Sequence, residues 1–294
     1  MAIFKGSGVA IVTPMNEDKS INYVKLDELV KEQIAGGTDA IIICGTTGES
    51  ATLSEDEHRE CVRTAVAAAG KKVPVIAGTG SNNTAHAIAL TKTAKECGAD
   101  GTLVVTPYYN KATQKGLIEH YSAIAAASDL PMIMYNVPSR TGCNILPETA
   151  ATLAKTVDNI VAMKDATGNV SQTAKMAVLA GDALDIYSGN DDQIIPVLSL
   201  GGIGVISVLA NVAPRQTHDM VMEYLNGNHE KALQLQLQAI ELIDALFCEV
   251  NPMPVKTAMN LMGKNVGGLR PPMCEMDEKN VAFLRRALTN YGLL

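Results

Sequence analysis

Eight short apolar stretches recur along the 294-residue chain, and polar or glycine residues close each of them. Valine and isoleucine are frequent in these stretches, as is typical of β-strands. In order, they are "GVAIVTP" from position 8, "AIIICGTTG" from 40, "VPVIAGTG" from 73, "GTLVVTP" from 101, "PMIMYNVP" from 131, "IVAMKDATG" from 160, "LDIYSGND" from 184 and "GVISVLAN" from 204. The pattern predicts eight strands.

Segments with helical spacing of apolar residues separate these strands. One of them begins at Ser54 with Glu57 three residues later, which is a capping box. Gly36, Gly37 and Gly98 come just before strands, where helix C-caps belong. Eight strand-helix units with strongly apolar strands predict an α/β fold whose parallel sheet closes as a (β/α)₈ TIM barrel. An open, doubly wound sheet is the alternative, but no G-x-G-x-x-G or Walker A sequence follows any predicted strand.

The strand pattern stops after Asn211, and the rest of the chain shows only helical patterns. These patterns are "QTHDMVMEYL", "HEKALQLQLQAIELIDALF", "PVKTAMNLMG" and "EKNVAFLRRAL". We therefore predict a catalytic barrel over residues 1–225 and a C-terminal α-helical extension over residues 226–294. No Gly- or Ser-rich linker separates the two parts, so we expect the extension to pack against the barrel.

Polar side chains gather where several predicted strands end. In a (β/α)₈ barrel, the carboxyl ends of the strands carry the chemistry. The residues concerned are Thr46, Thr47 and Glu49 after the second strand, Tyr108 and Tyr109 after the fourth, Tyr135 and Arg140 after the fifth, and Lys164 and Asp165 at the sixth. We expect these side chains to surround one site.

Lys164 is the most informative of them, because it ends an apolar run in which a charged group is expensive to bury. The period of two places Lys164 on the same strand face as Ala162 and Ile160, with Met163 and Asp165 on the other. A lysine held in a dry site has a larger neutral fraction, and the neutral amine attacks carbonyl groups to form Schiff bases. The pattern therefore favours a nucleophilic lysine.

Neighbouring strand ends supply groups that suit this chemistry. Tyr135 could transfer protons, and the hydroxyls of Thr46 and Thr47 could hold a small carboxylate. Structural alternatives stay open at this point: Lys164 could pair with Asp165 or another carboxylate. The tyrosines could be core residues with satisfied hydroxyls, and "GTTGES" could be only a tight turn.

Composition narrows the possible partners. The formal net charge is −7, and the lysines and arginines are scattered, which argues against nucleic acid. No apolar run approaches the length of a membrane span, so we expect a soluble cytoplasmic protein. Six cysteines without a C-x-x-C pair predict reduced and mostly buried thiols.

The histidines and one acidic pair carry no ligand spacing for a metal. Each of the five histidines lies singly on a helical stretch, which predicts solvated side chains and no metal site. Asp191 and Asp192 follow "SGN" and are expected to cap a helix.

Motifs along the chain resemble those of the dihydrodipicolinate synthase family, within the N-acetylneuraminate lyase and class I aldolase superfamily. They are "GTTGES", "TPYYNK", "YNVPSRTG", "KDATG", "YSGND" and "GGIGVISV", and "NPMPVK" at 251 extends the resemblance into the tail. The resemblance implies a (β/α)₈ barrel with a C-terminal helical domain. It also implies a lyase of lysine and diaminopimelate biosynthesis that condenses pyruvate with aspartate 4-semialdehyde to 4-hydroxy-tetrahydrodipicolinate, without metal or organic cofactor.

The resemblance also assigns catalytic roles, motif by motif. Lys164 would form the imine with pyruvate, and Tyr135 would donate and accept protons. Thr46 and Tyr109 would complete a proton relay, with Tyr109 arriving from the neighbouring subunit of a tight dimer. The family further suggests a homotetramer built as a dimer of dimers.

Substrate-binding roles follow in the same way. Thr47, together with the backbone around Gly189 and Ile206, would hold pyruvate, and Arg140 would bind the carboxylate of the semialdehyde. Relatives that act on sugar acids, N-acetylneuraminate lyase and the keto-deoxy-sugar aldolases, share the lysine, the tyrosine and a G-x-x-G-E loop. Arg140 and the double threonine favour the synthase, because the arginine fork binds both oxygens of a small carboxylate. A pyruvate-binding protein without turnover is the non-enzymatic alternative.

A regulatory site is a further implication of the resemblance. Lysine-inhibited members carry a feedback site at the dimer interface, lined by residues that match Ser50, Ala51, His58, Asn82 and Tyr108. In this chain Glu55 and His86 stand where those members usually have histidine and glutamate. We therefore expect inhibition by lysine to be weak or absent.

Overall fold

The computed structural model describes residues 2–294 and contains eight β-strands at the eight predicted positions. The strands are Gly6–Ala10 (β1), Ala40–Ile43 (β2), Val75–Gly78 (β3), Gly101–Val105 (β4), Met132–Asn136 (β5), Ile160–Asp165 (β6), Asp185–Ser188 (β7) and Gly204–Ser207 (β8). Each pairs in parallel with its sequence neighbours, and β1 pairs with β8, Gly8 lying opposite Ile206. The predicted closed (β/α)₈ barrel is confirmed.

Helices connect the strands and make up the C-terminal part of the chain. They are Tyr23–Ala35 (α1), Glu55–Ala69 (α2), Thr84–Glu96 (α3), Gln114–Ala125 (α4), Pro138–Thr141 (α5), Pro147–Thr156 (α6), Val170–Ala180 (α7), Ile194–Ser199 (α8), Pro214–Leu225 (α9), His229–Leu246 (α10), Met253–Leu261 (α11) and Glu278–Tyr291 (α12). The capping box is present, because Ser54 and Glu57 exchange side-chain and backbone hydrogen bonds at the start of α2. Within residues 2–294, no helix is long and apolar enough to cross a bilayer.

The C-terminal helices share a hydrophobic core with one side of the barrel. Leu242 of α10, Ala258 of α11 and Leu284 of α12 belong to the same buried cluster as Val9 of β1 and Ile41 of β2. The extension therefore packs against the barrel directly, as the lack of a linker indicated. Helix α9 ends at Leu225, and the boundary between residues 225 and 226 stays a prediction.

The barrel interior forms a separate apolar cluster below the predicted site. Its buried members include Ala10, Ala40, Ile42, Ile76, Leu103, Ile133, Tyr135, Ala162, Tyr187 and Ile206. Alternate residues of each strand face outward, towards the helices. This interior is a filled core, so any ligand has to bind above it, at the carboxyl ends of the strands.

The face predicted for Ile160 on β6 is wrong. Ala162 faces the barrel interior, as expected, but Ile160 packs with Met163 in an outer cluster beneath the helices. The cause is a register shift between β5 and β6: Met132 pairs with Ile160, whereas Ile133 pairs with Ala162. Val161 is the extra residue of this bulge, and an extra residue reverses the alternation for everything before it.

Two of the histidines are not solvated, contrary to expectation. His58 is buried, and its Nε2 donates to the carbonyl of Gly78 at 2.8 Å. His120 is also buried, with Nδ1 2.9 Å from the hydroxyl of Thr84. Burial lowers the pKa of both imidazoles. A helical sequence pattern shows which residues share a face, but a polar residue on the inner face needs a partner from another element.

The expectation for Asp191 is also wrong. Its Oδ2 accepts hydrogen bonds from the backbone amides of Val208 and Leu209, which follow β8, and not from its own helical turn. Among the cysteines, four are buried, Cys248 is partly buried and Cys274 is exposed, so the prediction of mostly buried free thiols is confirmed.

Candidate active site

Lys164 lies at the carboxyl end of β6 with only 6% of its surface exposed. Its register partners are Tyr135 on β5 and Tyr187 on β7. The ion pairs that lysines form within residues 2–294 do not include it. Asp165 takes part in none of these ion pairs, and its carboxylate instead accepts from the amide of Thr167 and the hydroxyl of Thr173. The salt-bridge alternative therefore fails for Asp165.

Tyr135 is the closest aromatic neighbour of this lysine. The Nζ atom of Lys164 lies 4.3 Å from the centroid of the Tyr135 ring. Tyr135 also lines a cavity of about 450 Å³ at the carboxyl ends of the strands, which Thr46 and Arg140 line as well. A cavity of this size suits a small metabolite. The structure thus places a tyrosine and an arginine on the wall of one cavity, and the buried amine of Lys164 against the ring of that tyrosine.

The double threonine follows β2 in a loop that the C-terminal extension supports. Thr46 lines the cavity, whereas Thr47 is buried, and its Oγ1 accepts a hydrogen bond of 3.0 Å from the side chain of Asn251. Arg140 of α5 lines the cavity on the other side, and its Nη2 donates to the backbone carbonyl of Asn251 at 3.4 Å. One residue of the extension therefore contacts both predicted carboxylate-binding groups.

A buried ion pair holds the same loop at a second point. Glu49 adopts a left-handed backbone conformation, with φ +55°, and its carboxylate is 2.9 Å from Nζ of Lys256 on α11. Lys256 also donates to the carbonyls of Thr13 and Gly268. Burial lowers the pKa of the Lys256 ammonium. Glu49 thus anchors the loop. From the sequence it was expected to surround the site together with the other polar residues at the strand ends.

At Gly189 and Ile206, the predicted contribution to the site comes from the backbone and not from a side chain. The amide of Gly189 donates to the carbonyl of Asp165 at 2.7 Å, and a Cβ atom at this position would come within 2.6 Å of Ala166. Ile206 is buried in the barrel interior and pairs with Gly8. Neither residue lines the cavity.

Two predicted catalytic residues do not line the cavity: Lys164 reaches it only through its contact with Tyr135, and Tyr109 lies on the surface. Tyr109 is 91% exposed, and its φ of +71° is a left-handed conformation that large side chains seldom adopt. Tyr108, next to it, does line the cavity. A strained, exposed aromatic residue beside a cavity is typical of a surface that another molecule covers.

The residues of the expected regulatory site lie on the wall of the same cavity, with one exception. Those lining it are Ser50, Ala51, Glu55, His58, His86 and Tyr108. Asn82 does not line it, and its carbonyl accepts from the side chain of Asn110. The Nε2 atom of His86 lies 3.6 Å from Oε1 of Glu55. The two residues that are expected to depart from the family pattern therefore form a pair.

Sequence reasoning missed two residues that support the site, Asn251 and Lys256. Both belong to "NPMPVK", a motif noticed only for its family resemblance. No local pattern marks them, because they follow no strand and act on a loop about two hundred positions earlier in the chain. The motif itself was the only available signal.

A buried lysine on a barrel strand, in contact with a tyrosine that lines a cavity, defines an enzyme of the class I aldolase type, which works through Schiff bases. The family model described as the dihydrodipicolinate synthetase family matches residues 3–291. This chain belongs to that family.

Individual relatives agree over the full length. The chain is 60% identical to the 4-hydroxy-tetrahydrodipicolinate synthase of Lachnoclostridium phytofermentans, covering all of both chains. Among solved structures, it resembles dihydrodipicolinate synthase from Thermotoga maritima, with 44% identity, a TM-score of 0.97 and full coverage of both chains. It also resembles the enzyme of Cyanidioschyzon merolae with lysine bound, with 41% identity, a TM-score of 0.97 and full coverage of both.

Proposed function

We propose that this enzyme is a 4-hydroxy-tetrahydrodipicolinate synthase, which condenses pyruvate with aspartate 4-semialdehyde in the first committed step of diaminopimelate and lysine biosynthesis. The observation that carries the proposal is the position of Lys164: a buried amine without an ion-pair partner in residues 2–294, 4.3 Å from the ring of a cavity-lining tyrosine. Family membership gives the substrates.

The chemistry needs only groups of the protein. The neutral amine of Lys164 attacks the keto carbon of pyruvate, and loss of water gives an imine. Removal of a methyl proton converts the imine to an enamine, whose carbon attacks the aldehyde of the semialdehyde. The amino group of the new chain then displaces the lysine as the ring closes. Tyr135 is the proposed donor and acceptor for these proton transfers, with Thr46 beside it on the cavity wall.

The groups proposed to bind the two carboxylates lie on different elements. Thr47 and the backbone around Gly189 and Ile206 are assigned to pyruvate, and Arg140 to the semialdehyde. Arg140 borders the cavity on α5 with part of its guanidinium free of the contact to Asn251, which supports its assignment. The apolar barrel interior beneath Lys164 keeps the amine in a dry environment.

The proposed assembly is a homotetramer built as a dimer of dimers, located in the cytoplasm. The exposed and strained Tyr109 supports a dimer in which this residue completes the relay of the neighbouring subunit. Contacts from a second subunit would give this exposed side chain a function and would offset its backbone strain.

Trapping of the imine tests the proposal. Borohydride reduction in the presence of pyruvate should add the mass of one reduced pyruvyl group at Lys164. Lys164→Ala should prevent the addition, whereas Lys175→Ala, at an exposed position of α7, should not affect it. The trapped enzyme should be inactive, and turnover should require aspartate semialdehyde. Turnover with N-acetylmannosamine instead would indicate a sugar-acid lyase, and an unmodified Lys164 would refute both enzyme functions.

A further inference from the structure

We propose that Asn251 is a positioning residue that sets which way the hydroxyl proton of Thr47 points, so that the helical extension controls recognition of the pyruvate carboxylate. This inference rests on the proposed function, because it assigns a means of selection to that same site. It adds a residue outside the barrel to the machinery.

The contacts of Asn251 converge on the two predicted carboxylate-binding groups. Its side chain is buried, with 4% of the residue exposed, and Nδ2 donates to Oγ1 of Thr47 at 3.0 Å. Its backbone carbonyl accepts from Nη2 of Arg140 at 3.4 Å. Asn251 also lines the cavity. It therefore fixes Thr47 and Arg140 relative to each other, although the three residues come from three separate segments.

The direction of the first hydrogen bond decides what Thr47 can bind. A hydroxyl has one proton and two lone pairs, and Asn251 occupies one lone pair by donating to it. Within residues 2–294, the structure pairs the proton of this hydroxyl with no acceptor. Thr47 is thus prepared to donate, and a donating hydroxyl suits a carboxylate oxygen. This favours a keto acid over a ligand that offers a hydroxyl proton at the same place.

The side-chain oxygen of Asn251 indicates that this residue does more than fill space. Its Oδ1 is buried and has no hydrogen-bond partner within residues 2–294. Asn260, in the same extension, satisfies both ends of its amide: Nδ2 donates to Gly267 and Oδ1 accepts from Val266. An unpaired buried acceptor is unfavourable. Asn251 keeps this unfavourable orientation while its Nδ2 donates to Thr47.

Rigid attachment of the extension makes such control possible. Lys256, further along in α11, forms an ion pair with Glu49 in the loop that carries Thr47. The loop and the extension therefore contact each other through a neutral hydrogen bond at Thr47 and an ion pair at Glu49, and the backbone amide of Arg270 also donates to Glu49 at 3.1 Å. A donor held in this way keeps its direction while the substrate enters and leaves.

Asn251→Asp is the most direct test, because aspartate has the same shape but cannot donate. Its carboxylate would take the proton of Thr47, so we expect the KM for pyruvate to rise at least about tenfold, the size of one lost charge-assisted hydrogen bond. Asn251→Ala should also raise the KM for pyruvate. Asn260→Asp is the matched control: it loses a hydrogen bond of the same kind in the extension, so it should lower the Tm without changing the KM for pyruvate.

A double-mutant cycle separates positioning from general damage. Thr47→Val alone should raise the KM for pyruvate at least about tenfold. Because Asn251 acts through the hydroxyl, adding Asn251→Ala to Thr47→Val should change the KM for pyruvate little further. Additive effects, or a KM within about twofold of wild type for Asn251→Asp, would overturn the inference. If the Asn251 variants do not fold, an unchanged KM in Thr47→Val overturns it independently.

The failure of this inference is distinguishable from that of the proposed function. Wild-type enzyme that forms no borohydride-trapped adduct with pyruvate contradicts the proposed function. Wild-type enzyme that traps pyruvate and turns over, together with Asn251 variants of normal KM, contradicts the inference alone.

Discussion

At the scale of single residues, the buried pair of Glu49 and Lys256 is the clearest test of how the site is supported. Their side chains are 2% and 1% exposed. Removing one partner of a buried pair leaves an uncompensated charge, so we expect Lys256→Met to lower the free energy of unfolding by about 3–5 kcal/mol. Urea unfolding at a fixed protein concentration measures this change.

An exposed ion pair provides the control for Lys256→Met. Lys31 lies 2.6 Å from Asp27 on α1, with side chains 62% and 36% exposed. Because solvent screens such a pair, Lys31→Met should change the free energy of unfolding by less than about 1 kcal/mol. Equal stability of the two variants would mean that Lys256 does not stabilise the buried carboxylate of Glu49.

A second residue-scale prediction concerns the pair of Glu55 and His86. The family resemblance puts Glu55 and His86 where lysine-inhibited members are expected to carry histidine and glutamate, an exchange that would change the charges on this part of the cavity wall. We expect steady-state turnover to be little affected by sub-millimolar lysine. The double variant Glu55→His with His86→Glu restores the usual arrangement and should gain sensitivity. A substantial loss of wild-type activity at those lysine concentrations would refute the prediction.

At the scale of elements, the start of α2 combines a helix cap with an ion pair. Glu57 closes the capping box with Ser54 and accepts two hydrogen bonds from the guanidinium of Arg270, at 2.6 and 2.7 Å. The hydrogen bonds from Arg270 lower the pKa of Glu57 from 4.5 to about 2. The N-terminus of α2 is thereby linked to the C-terminal extension, next to the loop of the site.

Glu57→Gln should reveal this link through its pH dependence. Glutamine keeps the capping box but carries no charge. A lowered carboxyl pKa stabilises the folded state above pH 4.5, and this stabilisation disappears as the pH falls from 4.5 towards 2. At pH 7 we expect Glu57→Gln to be less stable by about 1 kcal/mol, a modest value because solvent reaches both side chains. The difference should shrink below pH 4.5.

Ser54→Ala is the matched control for that experiment. It removes the cap and should lower the free energy of unfolding by about 1 kcal/mol, with less dependence on pH than Glu57→Gln, because the carboxylate and its hydrogen bonds from Arg270 remain. Urea unfolding of the wild type and both variants, from pH 7 down to the acid limit of the folded state, compares them. A Glu57→Gln difference that does not depend on pH would contradict the ion-pair explanation.

At the scale of the whole molecule, the position of Tyr109 predicts complementation between subunits. Tyr109→Phe should lower turnover by about 10²–10⁴-fold, the usual contribution of a proton-transfer group. Lys164→Ala should be inactive. When the two variants are co-expressed, a mixed dimer has one site with both Lys164 and a Tyr109 from the other subunit. That dimer should recover about half of the wild-type activity, as expected for one of two symmetric sites.

Activity of the purified mixed assembly measures this recovery, and each variant expressed alone is the control. If Tyr109 acts within its own chain, mixing cannot restore any site, because no subunit then has both residues. An inactive mixed assembly would therefore contradict the shared site while leaving the proposed reaction unaffected.

The sequence by itself determined the features that depend on neighbouring positions. Apolar runs closed by glycine or polar residues located all eight strands, the capping box located the start of α2, and the alternation along β6 placed Lys164 on the inner face with Ala162. Family motifs indicated the reaction. These signals are local, because side-chain alternation along a strand and helix capping act over a few residues.

Only the tertiary structure decided the contacts between distant segments. The bond from Asn251 to Thr47 spans 204 positions and that from Lys256 to Glu49 spans 207, and neither pair has a shared local pattern. The bulge at Val161 reversed the face of Ile160, and packing between elements buried His58. The physical reason is the same in each case: a buried polar group is placed by the partner that satisfies it, and that partner comes from elsewhere in the chain.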